Sequence, residues 1–243
     1  MSKLPNAPLQ EVSAQIKWHL KSEDSNKYDF FTADFYRMIE GEYPNRYSIA
    51  PDGIPIQLLI NNPSHKFTKN RVDYPFVVVG PGIVGINVDD DNYFWEKFKE
   101  DLKIAFSPIF ELVPILSDFD HIHNSLEYID FFEFDFDSHD ILDFLKEYLN
   151  TNISQTFVQH RSNSIDANFS YRDDSLGIIK FSFKKGKLNR NETMGLVVRT
   201  IVDSGIHSAN LDDTLSWFDQ AHNRSSELFK EMTKGKLYEL FKG

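Results

Sequence analysis

The stretch from Tyr128 to Phe144, YIDFFEFDFDSHDILDF, alternates acids with phenylalanines and holds no Lys or Arg. Widened to Asp118–Asp143, the window carries nine acids (Asp118, Asp120, Glu127, Asp130, Glu133, Asp135, Asp137, Asp140, Asp143) and three histidines. Carboxylates and imidazoles this close in sequence could ligate a metal ion or move protons. Asp118-x-Asp120 followed by His121-x-His123 has the residue types that suit Zn, Mn or Fe. In an extended chain, however, the two Asp point one way and the two His the other, so only a loop brings all four together. The alternative is a polar loop leading into a strand.

Within the stretch itself, Phe132, Phe134 and Phe136 share one face of an extended chain. Glu133, Asp135 and Asp137 share the other, at ~6.8 Å between successive members. Carboxylates in such a row repel unless they are solvated or faced by Lys180, Lys184 or Arg199 on a neighbouring strand. That acidic face is the natural meeting place for a basic protein partner. Asp130 breaks the alternation, because it has the parity of the phenylalanines. It points inward unless a bulge intervenes near Phe131. A buried carboxylate needs partners or a raised pKa, which makes Asp130 a better functional candidate than the surface acids, against the alternative of a hydrogen-bonded structural Asp. His222 is the other candidate. It sits on an apolar helical stripe with Asp219 three residues earlier, within side-chain reach. It could be a general base or a satisfied core histidine.

These residues need elements to hold them. In EVSAQIKWHL, Val12, Ala14, Ile16, Trp18 and Leu20 alternate with polar residues, predicting a first strand. YDFFTADFYRMIEG places Phe31, Phe35, Met38 and Ile39 at helical spacing before Gly41. Ile54–Ile60 predicts a short strand that Pro55 confines to an edge or a strand start. Two strands flank Gly80-Pro81-Gly82 as a hairpin. A long helix follows from Asp89, with Trp95, Phe98, Leu102 and Ala105 on one face and Pro108 as a kink or break. The opening stretch is then a strand, and HDILDFLKEYL a short helix. Four strands are predicted next, starting at TFVQHR, SIDANFSYR, LGIIKFSFKK and MGLVVRTIVD. A final long helix runs from about Asn210 to a break at Gly235.

This order predicts an α+β fold of mostly antiparallel sheets with helices on one face. Residues 1–150 have a β-α-β-β-α-β order, the ferredoxin-like split βαβ signature, if Ile54–Ile60 is set aside. Residues 151–243 form a four-stranded meander with the long C-terminal helix. The two halves could equally pack as one domain.

The chain of 243 residues has no Cys, which removes disulfides, thiolate metal sites and Cys nucleophiles and fits a reducing cytoplasm. Its start has no continuous apolar core of a signal peptide, and no run is long enough to span a membrane. The net charge of −11 argues against nucleic acid. Gly80-Pro81-Gly82 with Gly85 lacks the Lys and helix of a phosphate loop. No G-x-S-x-G, H-E-x-x-H, kinase or Rossmann pattern occurs, so no cofactor is expected.

LPNAPLQEVSAQIKW (Leu4–Trp18) and LSWFDQAHNRSSELFKEM (Leu215–Met232) resemble the two ends of a sporadically distributed bacterial family of similar length with no established activity. The family's middle strand, Leu-Arg-Tyr-x-Asn, is similar to LEYID here, which places Glu127 at the Arg and Asp130 at the Asn. The resemblance implies an α+β protein, and its patchy distribution an accessory system such as phage defence or a toxin–antitoxin pair. The expectation is a non-enzymatic cytoplasmic component that binds a protein partner, with oligomerisation left open. The alternative is a small-ligand or metal-dependent enzyme with a cleft between the two halves, using Asp130, Glu127, Asp219 or His222.

Overall fold

Strand β1 (Leu9–Trp18) shows why the chain makes a sheet. Val12, Ala14 and Ile16 are fully buried and Trp18 nearly so, while Gln15 and Lys17 between them stay partly exposed. A period of two with one apolar face can be satisfied only by burying that face under helices. The computed structural model describes residues 6–20, 27–51, 53–70, 74–116, 119–188 and 191–242.

Helix α1 (Tyr28–Ile39) buries Phe31, Phe35 and Ile39 as the spacing predicts, while Met38, expected on the same face, is exposed. Short strands β2 (Asn45–Ser48) and β3 (His65–Thr68) lead to the hairpin of β4 (Phe76–Gly80) and β5 (Ile83–Asp89), turning at Pro81-Gly82. Gly82 has φ +77°, a conformation that glycine adopts without strain. Helix α2 (Trp95–Leu116) then crosses to β6 (His121–Glu133), and α3 (Ile141–Tyr148) follows. Strands β7 (Asp166–Asp173), β8 (Gly177–Lys187) and β9 (Met194–Ser208) precede α4 (Leu211–Thr233) and α5 (Lys236–Lys242). Gly235, at φ +115°, separates the last two helices.

The fold is α+β. The nine strands of the described residues lie in one antiparallel sheet, in the order β2-β3-β4-β5-β1-β6-β9-β8-β7. β6 joins the two parts of the chain by pairing with β1 on one side and β9 on the other. No helix among the described residues is long and apolar enough to cross a membrane.

Four local expectations are corrected. Residues 54–60 are not a strand but a single 3-10 turn at Ile56–Leu59, which packs Ile56 against the core and leaves Leu58 72% exposed. Pro108 does not interrupt α2. Ala105, Phe106, Ile109 and Val113 around it are all buried, and their packing outweighs the roughly 3 kcal/mol that an interior proline costs. Thr156–Arg161 is irregular rather than a strand, with Phe157 84% exposed. Finally, β6 stops at Glu133. The Asp135 carboxylate accepts from the Asp137 and Ser138 backbone N–H groups at 2.9 and 3.2 Å. This Asx turn ends the extended chain, so Glu133, Asp135 and Asp137 are exposed but do not form a strand row.

The helices cover one face of the sheet with two hydrophobic clusters. One joins β1, β4 and β5 to α1, α2 and the first half of α4, through Phe35, Phe106 and Phe218 among others. The other gathers Phe132, Phe134 and Phe136 with α3, α5 and the β8–β9 end of the sheet. Along the inner face of β6, Leu126 belongs to the first cluster and Phe132 to the second. Tyr128 and Asp130 fall between them.

Candidate ligand pocket

Asp130 lies on the inner face, where its parity placed it, and is 4% exposed. The nearby bulge is in the partner strand: Leu9 pairs with Asp130 and Glu11 with Ile129, leaving Gln10 extra. β6 itself keeps its alternation, and the Phe131 N–H bonds the Pro8 carbonyl at 2.9 Å. The gap between the two clusters is a cavity of about 430 Å³. Its floor is Tyr128, Asp130 and Thr200 from adjacent strands, and its walls are Trp95, His222, Ser225 and Phe229 from α2 and α4. Tyr238 and Lys242 of α5 close the far side.

No donor among the described residues reaches the Asp130 carboxyl. Burial pushes its pKa up to about 7, helped by the negative charge of Asp90. The Ser225 hydroxyl, on the same pocket, is also buried with no hydrogen-bond partner among the described residues.

Beside Asp130 stands a connected polar group. The Tyr128 hydroxyl is 2.7 Å from His222 Nδ1 and 2.9 Å from the Tyr93 hydroxyl. Burial pushes His222 down to about 4, with Asp219 opposing the shift. His222 is therefore neutral at pH 7. Its Nδ1 and the two tyrosine hydroxyls form one cluster, in which Tyr93 also lies 3.3 Å from Nδ1, and the ring tautomer sets which atoms donate. The Trp95 ring stacks on His222 with centroids 4.0 Å apart and planes at 9°. Asp219 does not bond His222. It accepts from Trp95 Nε1 at 2.9 Å and pairs with Lys99 at 3.1 Å, so it orients the stacking partner.

Tyr128 bonds both of its neighbours, so Tyr128→Phe is expected to cost about 1–2 kcal/mol. Tyr93→Phe should cost less, since it removes the longer 3.3 Å contact with His222 and leaves the 2.7 Å Tyr128–His222 bond in place. Urea unfolding at pH 7.5 measures both, and the reverse order would show that His222 is held by Tyr93.

The remaining candidates lie elsewhere. Glu127 is on the opposite face of β6, where it pairs with Arg199 at 2.9 Å. Burial raises its pKa against the pull of that Arg. Lys180 and Lys184 pair with Asp203 and Asp166 rather than with Glu133, Asp135 or Asp137. His121 is exposed at the start of β6, His123 is half-buried on the outer face, and Asp120 precedes the strand. Asp118 lies outside the described residues, among which no group of three or more His, Asp or Glu could hold a metal ion.

The sequence thus pointed to Asp130 and His222, which share one pocket, and missed Tyr93, Tyr128, Thr200 and Ser225. Tyr128 carried a signal, having the parity of Asp130 two residues on. Thr200 carried none, since only the β6–β9 register sets it opposite Tyr128. Comparison with protein-family models, curated proteins and solved structures found no match.

Proposed function

We propose that this protein binds a small organic molecule in the pocket between its two hydrophobic clusters. One observation carries the reading: a cavity walled by aromatic rings contains two buried polar side chains, Asp130 and Ser225, that no described protein group satisfies. An unsatisfied buried group costs roughly 1–3 kcal/mol, and a ligand that bonds it removes that cost. A cavity of about 430 Å³ is also in the usual size range for such ligands.

The ligand-binding half of the alternative expectation is therefore the better supported one. The acids expected to meet a basic partner support that role less well. They are exposed, but the Asp135 carboxylate already accepts two backbone N–H groups. The same reading treats β1, β4, β5 and β6 with α1 and α2 as a ferredoxin-like split βαβ unit. The order β4-β5-β1-β6 supports it. β7, β8 and β9 would be the meander that brings α4 back over the pocket.

The test is ligand-detected NMR with a library of small aromatic compounds, using Ser226→Trp to fill the pocket from α4. Binders are expected, with affinities at least tenfold weaker in the variant. A library without binders, or binders indifferent to the substitution, would overturn the reading.

A further inference from the structure

We infer that the ligand carries a protonated amine or amidine on an aromatic body, with the cation held at Asp130. This deepens the reading above and rests on it.

Of the two buried polar groups of the lining without a partner among the described residues, Asp130 and Ser225, only Asp130 can carry charge. At the floor, the group without a partner is an acid, and it is 4% exposed. Burial of a carboxylate is relieved best by a cation that brings its own hydrogen-bond donors, because it supplies both charge and geometry. The nearby polar groups fit such a head. Thr200 and Ser225 offer hydroxyl oxygens to N–H donors that Asp130 leaves over. Asp90, close enough to push the Asp130 pKa upward, adds negative potential at the same place.

The walls point the same way. Tyr93, Trp95, Tyr128 and Phe229 present ring faces and edges to the cavity. Aromatic faces attract cations and stack on aromatic bodies. His222 is no rival cation, since burial, with the positive charges of Lys230 and Lys99 acting in the same sense, keeps it neutral. Among the described residues Lys230 and Lys242 also line the pocket. Lys242 is already matched by Glu239 at 2.8 Å and lies 4.8 Å from the Tyr238 ring centroid. The net charge of −11 favours approach of a cation from solution.

Asp130→Asn separates this assignment from the general one. It removes the charge while keeping the shape, and the variant should fold at least as well as the wild-type protein. The probes are phenethylamine, its neutral isostere 2-phenylethanol, and 3-phenylpropionate, measured by calorimetry at pH 8 with the full chain. The wild-type protein is expected to bind phenethylamine at least tenfold more tightly than 2-phenylethanol. In Asp130→Asn that preference should vanish, with binding of the alcohol changed less than threefold. Equal binding of amine and alcohol by the wild type, or a preference that survives the substitution, overturns the assignment and leaves the pocket. Tightest binding of 3-phenylpropionate overturns it in favour of the lysines. If none of the three binds, the assignment and the reading beneath it both fail.

Discussion

From pH 5 to pH 8, Asp130→Asn is expected to gain stability steadily relative to the wild-type protein. The cause is the Asp130 carboxyl, whose pKa burial lifts from 3.8 to about 7. Between those values the folded state holds a proton that the unfolded state has released. Stability from this group is therefore greatest below about pH 4 and is lost as pH rises through 7. The gap corresponds to roughly 4 kcal/mol, most of which falls between pH 5 and pH 7.5. Asn has no proton to lose, so the difference between variant and wild type should grow by about 2–3 kcal/mol across the window. His222 acts in the opposite sense. Its pKa falls from 6.5 to about 4 on folding, so its contribution is complete above 6.5 and is lost as pH drops toward 4. In the wild-type protein the two slopes partly cancel, and each single variant should expose the other. His222→Gln should lose stability with rising pH more steeply than the wild type. Asp90, Tyr93, Tyr128, Lys230 and Lys242 also face the pocket or its carboxyl, but are common to all three proteins. Urea unfolding at half-unit steps from pH 5 to pH 8 measures the curves. A constant difference between Asp130→Asn and wild type would mean that Asp130 ionises as an ordinary surface acid.

Asp130 was legible in the sequence because a strand's period of two is rigid, and one polar residue on an apolar parity stands out against Phe132 and Leu126. Past Glu133 the same alternation still holds in burial, with Phe134 and Phe136 inside and Asp135 and Asp137 exposed, but the side chain of Asp135 turns the backbone and ends the strand. Helical periodicity found α2 and α4 and placed Trp95, Phe98, Phe218 and His222 on their inner faces. It could not show that Trp95 and His222 stack on one another, because that depends on how two helices some 120 residues apart cross the sheet. The single sheet was hidden for a related reason. Each half has a reasonable local order, and only the long pairing of β6 with β9 merges them. That merger makes the pocket. Asp130 and Tyr128 come from one half and Thr200, His222 and Ser225 from the other, so neither half holds the polar set alone.

Phe218→Ala is expected to destabilise the protein by about 3–5 kcal/mol, the usual cost of emptying a buried phenylalanine site. Phe218 is fully buried, and its ring stacks on Phe106 of α2 with centroids 5.5 Å apart. It also meets Trp217 edge-on at 5.1 Å. The Phe106–Phe218 contact and the Trp95–His222 stack are ring contacts between the same two helices, and Phe218 lies one helical turn before His222. A cavity at Phe218 therefore loosens the helix that carries the pocket wall. For a chain of this length the loss corresponds to a fall in Tm of ~10 °C. Phe106→Ala should cost a similar amount. Because the two rings touch, the double variant should cost less than the two singles together, by roughly 0.5–1.5 kcal/mol. Phe218→Leu keeps most of the buried volume, so it should lose far less stability. Calorimetric melting of the four proteins, with wild type as reference, decides the matter. Strict additivity would show that the helices are held by the sheet independently. A cost below 1 kcal/mol for Phe218→Ala would show that the site collapses around the missing ring. If the coupling is found, the geometry of the Asp130 pocket depends on a contact between α2 and α4 that touches none of its polar groups.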